Sequence, residues 1–377
     1  MTETNIQVAQ GQFNMQRFPI EKNQKLRAWD AADEYLLNDL AAKLKRVENP
    51  RILIVNDNFG TLAVALHAFS PYCISDSFIS LTSTAENLAQ NKLPENGAQL
   101  LTSLQQPDGK FDFILIKAPK TVAYLEDTLI RLQARFKPDT QLIVAGMVKN
   151  LPASVWQTVE LLVGPAAPSR AVKKARLIYA QPDSQRNIPA NPYPVTYQLE
   201  NTDYQISNHA NVFSHKSLDI GTRFFLQHLP QDNKYRQVVD LGCGNGVVGL
   251  IFAANNSGAQ LHFIDESYMA VASAQLNFER AFPARKASYT AIDALRDLSP
   301  DSVDLVLCNP PFHQQTSIGC HIAMRMFQQA KNVLRSEGEL WVIGNRHLGY
   351  QASLKKYFPT VELVASNVKF IILKASC

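Results

Sequence analysis

The chain carries the same order of strands and turns twice, which restricts it to a duplicated domain. The first pair of matching segments is RILIVNDNFG (51–60) and RQVVDLGCGNG (236–246). Three more pairs follow in the same order: FDFILIKAPK (111–120) with VDLVLCNPPF (303–312), KPDTQLIVAGMVK (137–149) with RSEGELWVIGNRH (335–347), and KKARLIYA (173–180) with VKFIILKA (368–375). Duplication of one domain explains pairs that keep their order along the chain.

Each copy alternates short apolar strands with stretches long enough for helices. Unbroken apolar strands such as FILI and DLVLC are typical of a parallel sheet buried on both faces. The alternation therefore predicts an open α/β sheet with right-handed crossovers in each copy. Near the C-terminus, TVELVASN (360–367) and VKFIILKAS (368–376) nearly abut. So short a connection predicts an antiparallel hairpin at the sheet edge.

A proline-rich segment separates the two copies. Residues 181–197 read QPDSQRNIPANPYPVTY, and proline at this density disfavours helix and sheet interior. We therefore expect a first domain at 1–185, a semi-rigid linker at 186–197 and a second domain at 198–377.

Composition excludes several classes of protein. A chain of 377 residues with 46% hydrophobic and 19% charged residues can bury two cores and is not globally disordered. It has no apolar run of membrane-spanning length, and its N-terminus has no apolar signal region. The five cysteines form no C-x-x-C, which argues against disulfides and a metal site. We expect a cytoplasmic protein whose net charge of +4 permits a nucleic-acid partner without indicating one.

The glycine-rich turn DLGCGNG at 240–246 indicates a nucleotide-type ligand. It follows the strand QVVD and precedes the helical segment VVGLIFAANN. Gly242, Gly244 and Gly246 let the backbone turn sharply and approach a ligand closely. Asp265 ends the next strand, LHFID, where a carboxylate can accept hydrogen bonds from both ribose hydroxyls.

Two cofactors fit this turn. Gly244, Gly246 and Gly249 match the dinucleotide fingerprint, in which a pyrophosphate rests on the helix start. Asp240 favours the other cofactor, S-adenosylmethionine, because a carboxylate suits an ammonium and a sulfonium better than a pyrophosphate. A tight turn without a ligand is the simpler alternative.

The NPPF element at 309–312 ends the strand VDLVLC, at the sheet edge where open α/β folds bind ligands. The Asn309 side-chain carbonyl and the Pro310 main-chain carbonyl are two acceptors that suit a planar amino group, and Phe312 offers a stacking face for a base. Such a site would work by positioning and electrostatics. A rigid loop with a buried Phe is the structural alternative.

The D-x-G-x-G-x-G string resembles the signature of class I S-adenosylmethionine-dependent methyltransferases. The resemblance implies a Rossmann-like fold, with Asp240 near the methionine amino group. It places Gly242, Gly244 and Gly246 around the cofactor and Asp265 at the ribose. It also implies that Asp293 contacts the adenine amine, although an Asp before a helix is also a common N-cap.

The NPPF tetrapeptide resembles that of enzymes that methylate adenine N6, guanine N2 or glutamine amide nitrogen. A Phe followed by His313 is most similar to the guanine-N2 ribosomal RNA group, as is VFSHKSLDIGTRFFLQHLP at 212–230. The resemblance implies that Asn309, Pro310 and Phe312 act in catalysis and that Asn309 also contacts the cofactor. It implies a substrate site made of Phe213, Pro311, Phe312 and His313, with Asp219 and Gly221 close to it.

The order of a degenerate half, a linker and an intact half resembles the RlmG/RsmC family of bacterial ribosomal RNA guanine-N2 methyltransferases. This implies two tandem class I methyltransferase domains and a ribosomal RNA partner. Length and C-terminal sequence resemble the large-subunit (23S) members more than the small-subunit (16S) members. Methylation of a protein glutamine and a nicotinamide-dependent oxidation remain alternatives. We expect a monomer, since two domains in tandem remove the need for a dimer.

The first copy lacks the residues that the chemistry requires. Asn56 and Asn58 replace two glycines, Ile54 replaces the acid, and KAPK at 117–120 replaces NPPF. We predict that this copy binds no cofactor and either positions RNA or acts only as a structural support. Its candidate phosphate contacts are Lys22, Lys25, Arg27, Lys43, Lys45, Arg46, Lys117, Lys120, Arg170, Lys173, Lys174 and Arg176.

Overall fold

The computed structural model describes residues 2–20, 24–311 and 317–377, with the side chains of 317–320 left aside. The chain divides into two compact units, Met1–Tyr193 and Pro194–Cys377. Among the described residues, none of the helices combines the length and the apolar character that a membrane span requires.

The first unit begins with a hairpin and continues as alternating strands and helices. Its elements are β1 (Asn5–Val8), β2 (Gly11–Asn14), α1 (Ala31–Leu44), β3 (Ile52–Val55), α2 (Thr61–Ala65), β4 (Tyr72–Ser75), α3 (Phe78–Gln90), β5 (Gln99–Thr102), β6 (Phe111–Lys117), α4 (Val122–Arg131), β7 (Phe136–Met147), α5 (Ala153–Leu162), β8 (Ala166–Pro168) and β9 (Ala175–Ala180).

The second unit repeats this order. Its elements are β10 (Val195–Gln198), β11 (Gln205–Asn208), α6 (Ile220–Leu226), β12 (Gln237–Leu241), α7 (Val247–Asn255), β13 (Gln260–Asp265), α8 (Tyr268–Ala281), β14 (Ala287–Ala291), β15 (Val303–Cys308), α9 (Ser317–Val333), β16 (Leu334–Asn345), α10 (Tyr350–Leu354), β17 (Thr360–Ser366) and β18 (Phe370–Ser376).

Over the described residues, each unit has one seven-stranded sheet, and the two sheets have the same topology. The strand orders are β5-β4-β3-β6-β7-β9-β8 and β14-β13-β12-β15-β16-β18-β17. The first five strands of each sheet pair in parallel, and the last two pairings are antiparallel, so that only β9 and β18 run against the other strands of their sheets. The predicted α/β class is confirmed, as is the C-terminal hairpin, in which β17 forms the sheet edge.

The central strands are buried on both faces, which explains their unbroken apolar sequence. All of β3 is buried, and β6 and β15 are buried except at their second residues, Asp112 and Asp304. Each of these carboxylates accepts a hydrogen bond from the main chain at the start of a neighbouring strand, at Arg51 and Arg236. The shared Asp is therefore a structural residue of the duplicated fold.

Two short hairpins, β1–β2 and β10–β11, were not predicted, because their strands are short and largely polar. In each unit one Asn attaches the hairpin to the glycine-turn region. The Asn87 amide nitrogen donates to the carbonyls of Gln16 and Phe59, each at 2.8 Å. The Asn277 amide nitrogen donates to the carbonyls of Ser207 and Asn245, each at 2.9 Å.

The proline-rich segment forms side-chain hydrogen bonds with the first unit. Asn191 donates to Asp127 at 2.7 Å and the Tyr193 hydroxyl donates to Glu126 at 2.9 Å, both within the first unit. Val195 already begins β10 of the second unit. The boundary between the units thus lies inside the segment 186–197.

Candidate active site at the carboxyl edge of the second sheet

Neighbouring parallel strands bring the two motifs of the second copy together. Leu241, the last residue of β12, pairs with Cys308, the last residue of β15. The residues that follow are Gly242 and Asn309, and a Cβ atom placed on Gly242 would lie 3.9 Å from the Asn309 carbonyl oxygen. The strand order changes direction at β12, which is where open α/β sheets form their ligand crevice.

The glycines of the turn serve two different purposes. Gly242, Gly244 and Gly246 have φ of 69°, 53° and 77°, in the left-handed region that favours glycine. A Cβ atom on Gly246 would lie 2.7 Å from the Ala274 Cβ, so this glycine is needed for packing against α8. A Cβ atom on Gly244 would meet nothing within 4 Å. Gly244 therefore leaves open backbone that a ligand can approach.

Asp240 lies beneath the turn. Its side chain is buried, and Oδ2 accepts a hydrogen bond from the Gly249 main-chain N–H at 2.8 Å. Burial raises the pKa of Asp240 to about 8, against the effect of that hydrogen bond and with a contribution from Asp265. A cationic group of a ligand would favour the charged form of such a carboxyl. This environment fits the sulfonium and ammonium of S-adenosylmethionine.

Asp265 joins the turn to the next strand. Its Oδ2 accepts from the Gly244 N–H at 3.0 Å, and its Oδ1 accepts from the Ser267 N–H at 3.0 Å. The carboxylate therefore lies directly beside the open glycine, as expected of a ribose acceptor. The carboxylate acceptor and the open approach at Gly244 together fit an adenosine-type cofactor.

The Asp293 carboxylate already forms an ion pair within the second unit. It is buried, and its Oδ1 lies 2.8 Å from an Arg325 guanidinium nitrogen of α9. Burial raises the pKa of Asp293, although Arg325 and Arg296 lower it. An adenine contact by this residue thus has to share the carboxylate with Arg325, and the assignment remains a prediction.

Asn309 provides a buried acceptor to which no described residue donates. Its Nδ2 donates to the Thr222 hydroxyl oxygen at 2.9 Å. Its Oδ1 is buried and accepts no hydrogen bond from any described residue. Pro310 is buried whereas Pro311 is exposed. The amide oxygen that the sequence predicts for catalysis is therefore available to a ligand amine.

The predicted substrate residues are only partly described. Phe213 is 54% exposed. Asp219 caps α6 by accepting from the Thr222 N–H at 2.9 Å, and Gly221 lies directly against the Phe370 ring. Phe312 and His313 lie outside the described residues, so their assignments stay predictions.

Thr222 is a site residue that the sequence reasoning missed. The signal was present in the repeat, because Asp219-x-x-Thr222 before the first strand corresponds to Asp30-x-x-Asp33 in the first copy. Asp30 caps α1 and Asp219 caps α6.

The corresponding crevice of the first unit is occupied by its own side chains. The Asp57 carboxylate accepts from the N–H groups of Leu62 and Ala63 at 2.8 and 3.1 Å, and so covers the start of α2. The Lys117 ammonium is buried, 2.9 Å from Asp30 and 2.6 Å from Asp33. These contacts are consistent with the predicted lack of cofactor binding.

The interpretation of Lys117 as a phosphate contact is wrong, because this side chain is buried in an internal ion pair. Three other members of the candidate set are also paired: Arg27 with Glu3, Lys43 with Asp39 and Lys173 with Glu34. Lys22 lies outside the described residues. Lys120, Arg170 and Lys174 are exposed.

Comparisons with known proteins agree with this architecture. Residues 3–184 match the family model "RLMG N-terminal domain", and residues 203–374 match "Methyltransferase small domain". A solved structure of T. thermophilus 16S rRNA N2 methyltransferase (RsmC) in complex with AdoMet and guanosine is 19% identical, with a TM-score of 0.76. It covers 99% of this chain and 97% of its own, which shows a common fold and confirms the tandem Rossmann-like class.

Curated relatives are similar over nearly their whole length. "Ribosomal RNA large subunit methyltransferase G" of Ectopseudomonas mendocina is 48% identical over 361 residues, covering 96% of both chains. The proteins of the same name from Pseudomonas paraeruginosa and Aeromonas salmonicida are 47% and 45% identical, covering 97% and 99% of both chains. At this identity and coverage, the chain belongs to the family of ribosomal RNA large subunit methyltransferase G.

Proposed function

We propose that this chain transfers a methyl group from S-adenosylmethionine to the exocyclic N2 of a guanine in 23S ribosomal RNA. The observation that carries the proposal is the buried Asn309 amide oxygen, without a described partner, beside the open glycine turn. The names of the relatives support the large-subunit substrate. The N2 specificity and guanosine of the structural neighbour support the acceptor.

The second unit supplies positioning and electrostatics. When bound, the cofactor supplies an electrophilic methyl group on a sulfonium, so that an N–C bond forms as an S–C bond breaks. Gly244 and Asp265 would hold its nucleoside, while Asn309 Oδ1 and the Pro310 carbonyl accept the two hydrogens of the amine. The nitrogen becomes more positive in the transition state, so these acceptors bind it more strongly there. One amine proton then leaves to water.

The RNA has to present an unpaired base. Guanine N2 lies in the minor groove of an RNA helix, where a paired amine cannot enter a buried crevice. Phe213, which is half exposed, provides an aromatic face for a base. We therefore expect the target guanine to be unpaired or flipped out of its helix.

We further propose that the first unit holds the RNA backbone. Lys173 and Lys174 form a two-residue hairpin turn with φ of 48° and 64°, a conformation for which Asn and Gly are preferred. Ala175 pairs with Met147 at the end of β7, so the turn projects from the carboxyl edge of the first sheet. Lys120 and Lys149 follow strands that end at this edge, and both are exposed. This basic edge suits phosphate contacts.

We propose that the chain acts in the cytoplasm, as a monomer and without a metal ion. A protein glutamine amide remains the second candidate substrate, because two carbonyl acceptors fit its amino group equally well.

The test uses cofactor labelled on its methyl group. The purified chain is incubated with 23S RNA, 16S RNA, assembled subunits and ribosomal protein fractions. We expect label in 23S RNA as N2-methylguanine, and Asn309→Ala should abolish transfer while cofactor affinity stays within about twofold. Label only in 16S RNA or protein, or full activity of Asn309→Ala, would contradict the proposal. Titration with a nicotinamide dinucleotide tests the oxidoreductase alternative, for which we expect no binding.

A further inference from the structure

We infer that Thr222 is a positioning residue that sets the direction of the Asn309 amide. The inference rests on the proposed function, because it explains how the amide oxygen comes to face the methyl acceptor. It adds a residue of α6 to a site otherwise built from the ends of strands.

The hydrogen-bond directions around Thr222 follow from its single hydroxyl proton. The hydroxyl donates to Asp219 Oδ2 at 3.3 Å, and a carboxylate oxygen accepts. Asp219 is held in place because the same oxygen accepts the Thr222 main-chain N–H at 2.9 Å. With its proton directed to Asp219, the hydroxyl faces Asn309 as an acceptor. Only the NH₂ group of the Asn309 side chain can donate a hydrogen bond to it.

This arrangement disfavours the flipped amide. In the flipped orientation Asn309 Oδ1 would lie 2.9 Å from the Thr222 oxygen. The hydroxyl would then have to give up its bond to Asp219, or two acceptors would face each other without a proton. A buried contact between two acceptors without a proton is destabilising. The orientation seen places Oδ1 toward the crevice, where it is buried and lacks a described partner. Donation from Nδ2 also polarises the carbonyl and strengthens it as an acceptor.

Comparison with the first unit distinguishes the structural role of the segment 219–222 from its role in the site. The capping acid is present in both copies, since Asp30 caps α1 and Asp219 caps α6. The hydroxyl and the amide are both absent from the first copy, in which Asp33 and Lys117 take their places as an ion pair. Helix capping therefore does not require Thr222, and the hydroxyl–amide pair occurs in the copy with the open glycine turn.

The test compares Thr222→Val, which keeps the shape and removes the hydroxyl, with Thr222→Ser, which restores it. We expect Thr222→Val to lower kcat for 23S RNA about 10–100-fold, with cofactor Kd within about twofold. Thr222→Ser should recover most of the rate. Thr84→Val, which removes another buried helical hydroxyl in the first unit, should leave kcat unchanged.

A second readout does not depend on the RNA substrate. Hydrogen exchange of the Asn309 side-chain amide, followed by NMR on ¹⁵N-labelled protein, should speed up at least tenfold in Thr222→Val but not in Thr222→Ser. Unchanged exchange, or equal kcat for Thr222→Val and the wild type, would overturn the inference. If the wild type methylates no ribosomal RNA, the proposed function fails, whereas the exchange measurement still decides whether Thr222 holds the amide.

Discussion

The Lys117 ammonium lies 2.6 Å from an Asp33 carboxylate oxygen, at the place where Asn309 donates to Thr222 in the second unit. Burial lowers the pKa of Lys117, but Asp33 and Asp30 raise it above its ordinary value, so the ammonium is charged. Burial raises the pKa of Asp33 to about 7 although Lys117 lowers it, whereas the pKa of Asp30 lies below its ordinary value, so Asp30 is the ionised partner at neutral pH. The first copy has thus replaced an acceptor for a ligand with an internal ion pair. Its crevice is stabilised by its own side chains instead of by a cofactor.

Removing that cation should destabilise the first unit. Lys117→Ala leaves two buried or half-buried carboxyl groups without a cation, and we expect the free energy of unfolding of this unit to fall by roughly 3–5 kcal/mol. Denaturant unfolding followed at Trp29, which packs in this unit, measures the change. The exposed Lys120→Ala is the control and should shift stability by under about 0.5 kcal/mol. Equal effects of the two substitutions would refute the ion-pair interpretation.

Two glycines of the turn should respond differently to alanine. At Gly244 the side chain meets no protein atom, so Gly244→Ala should cost only about 1–2 kcal/mol of backbone strain and weaken cofactor binding more than tenfold. At Gly246 the methyl group would overlap Ala274, so Gly246→Ala should mainly lower the Tm.

Calorimetry with S-adenosylmethionine and thermal denaturation separate these effects. Gly349→Ala is a matched control, because its φ is 64° and its Cβ would also meet nothing within 4 Å. It should show the strain without loss of cofactor affinity. If Gly244→Ala binds cofactor normally, the ligand does not approach this backbone.

The buried Asp240 carboxyl should make stability fall as pH rises. Its pKa of about 8 in the folded chain exceeds the ordinary value of 3.8, so the folded state keeps a proton that the unfolded state has released between these values. The free energy of unfolding therefore falls over this window, by roughly 2 kcal/mol between pH 6 and 8 from this group.

Asp240→Asn keeps an acceptor for the Gly249 N–H but cannot ionise. We expect the ligand-free variant to gain stability relative to the wild type as pH rises from 6 to 8, while its cofactor affinity falls more than tenfold. Denaturant titrations at both pH values measure this, with the exposed Asp297→Asn as the control. A constant difference between variant and wild type at the two pH values would show that Asp240 does not titrate there.

Replacing Lys174 in the Lys173–Lys174 hairpin turn should raise the stability of the chain and weaken its binding to RNA. Lys174→Gly places the preferred residue at a φ of 64°, for a gain of about 0.5–1 kcal/mol, and removes a cation. We expect weaker binding of 23S RNA and a salt dependence reduced by about one phosphate contact. Filter binding across a range of salt concentrations measures both.

Lys92→Gly is the matched control for that turn. Lys92 has a φ of 56° and is exposed at the end of α3, away from the carboxyl edge of the first sheet. It should gain similar stability without a change in RNA affinity. Equal RNA affinity of Lys174→Gly and the wild type would show that the turn does not touch RNA.

Sequence patterns predicted the elements that depend on local order. The strand ends at Asp265 and Cys308 were correctly predicted, because runs of apolar residues end where polar functional groups begin. The hairpins at β1–β2 and β10–β11 were missed, since strands of four mostly polar residues carry little periodic signal. Their attachment through Asn87 and Asn277 depends on contacts with residues far away in the sequence.

By itself the sequence determined the duplication, the α/β class, the glycine turn and the loss of that turn's glycines in the first copy, because order and residue type are enough for these. Tertiary structure alone decided which glycine opens to a ligand, which lysine is buried, and which end of the Asn309 amide faces the crevice. These properties depend on residues that are neighbours in space but not in sequence. The partners that decide them, Ala274, Asp33 and Thr222, lie far along the chain from the residues they control.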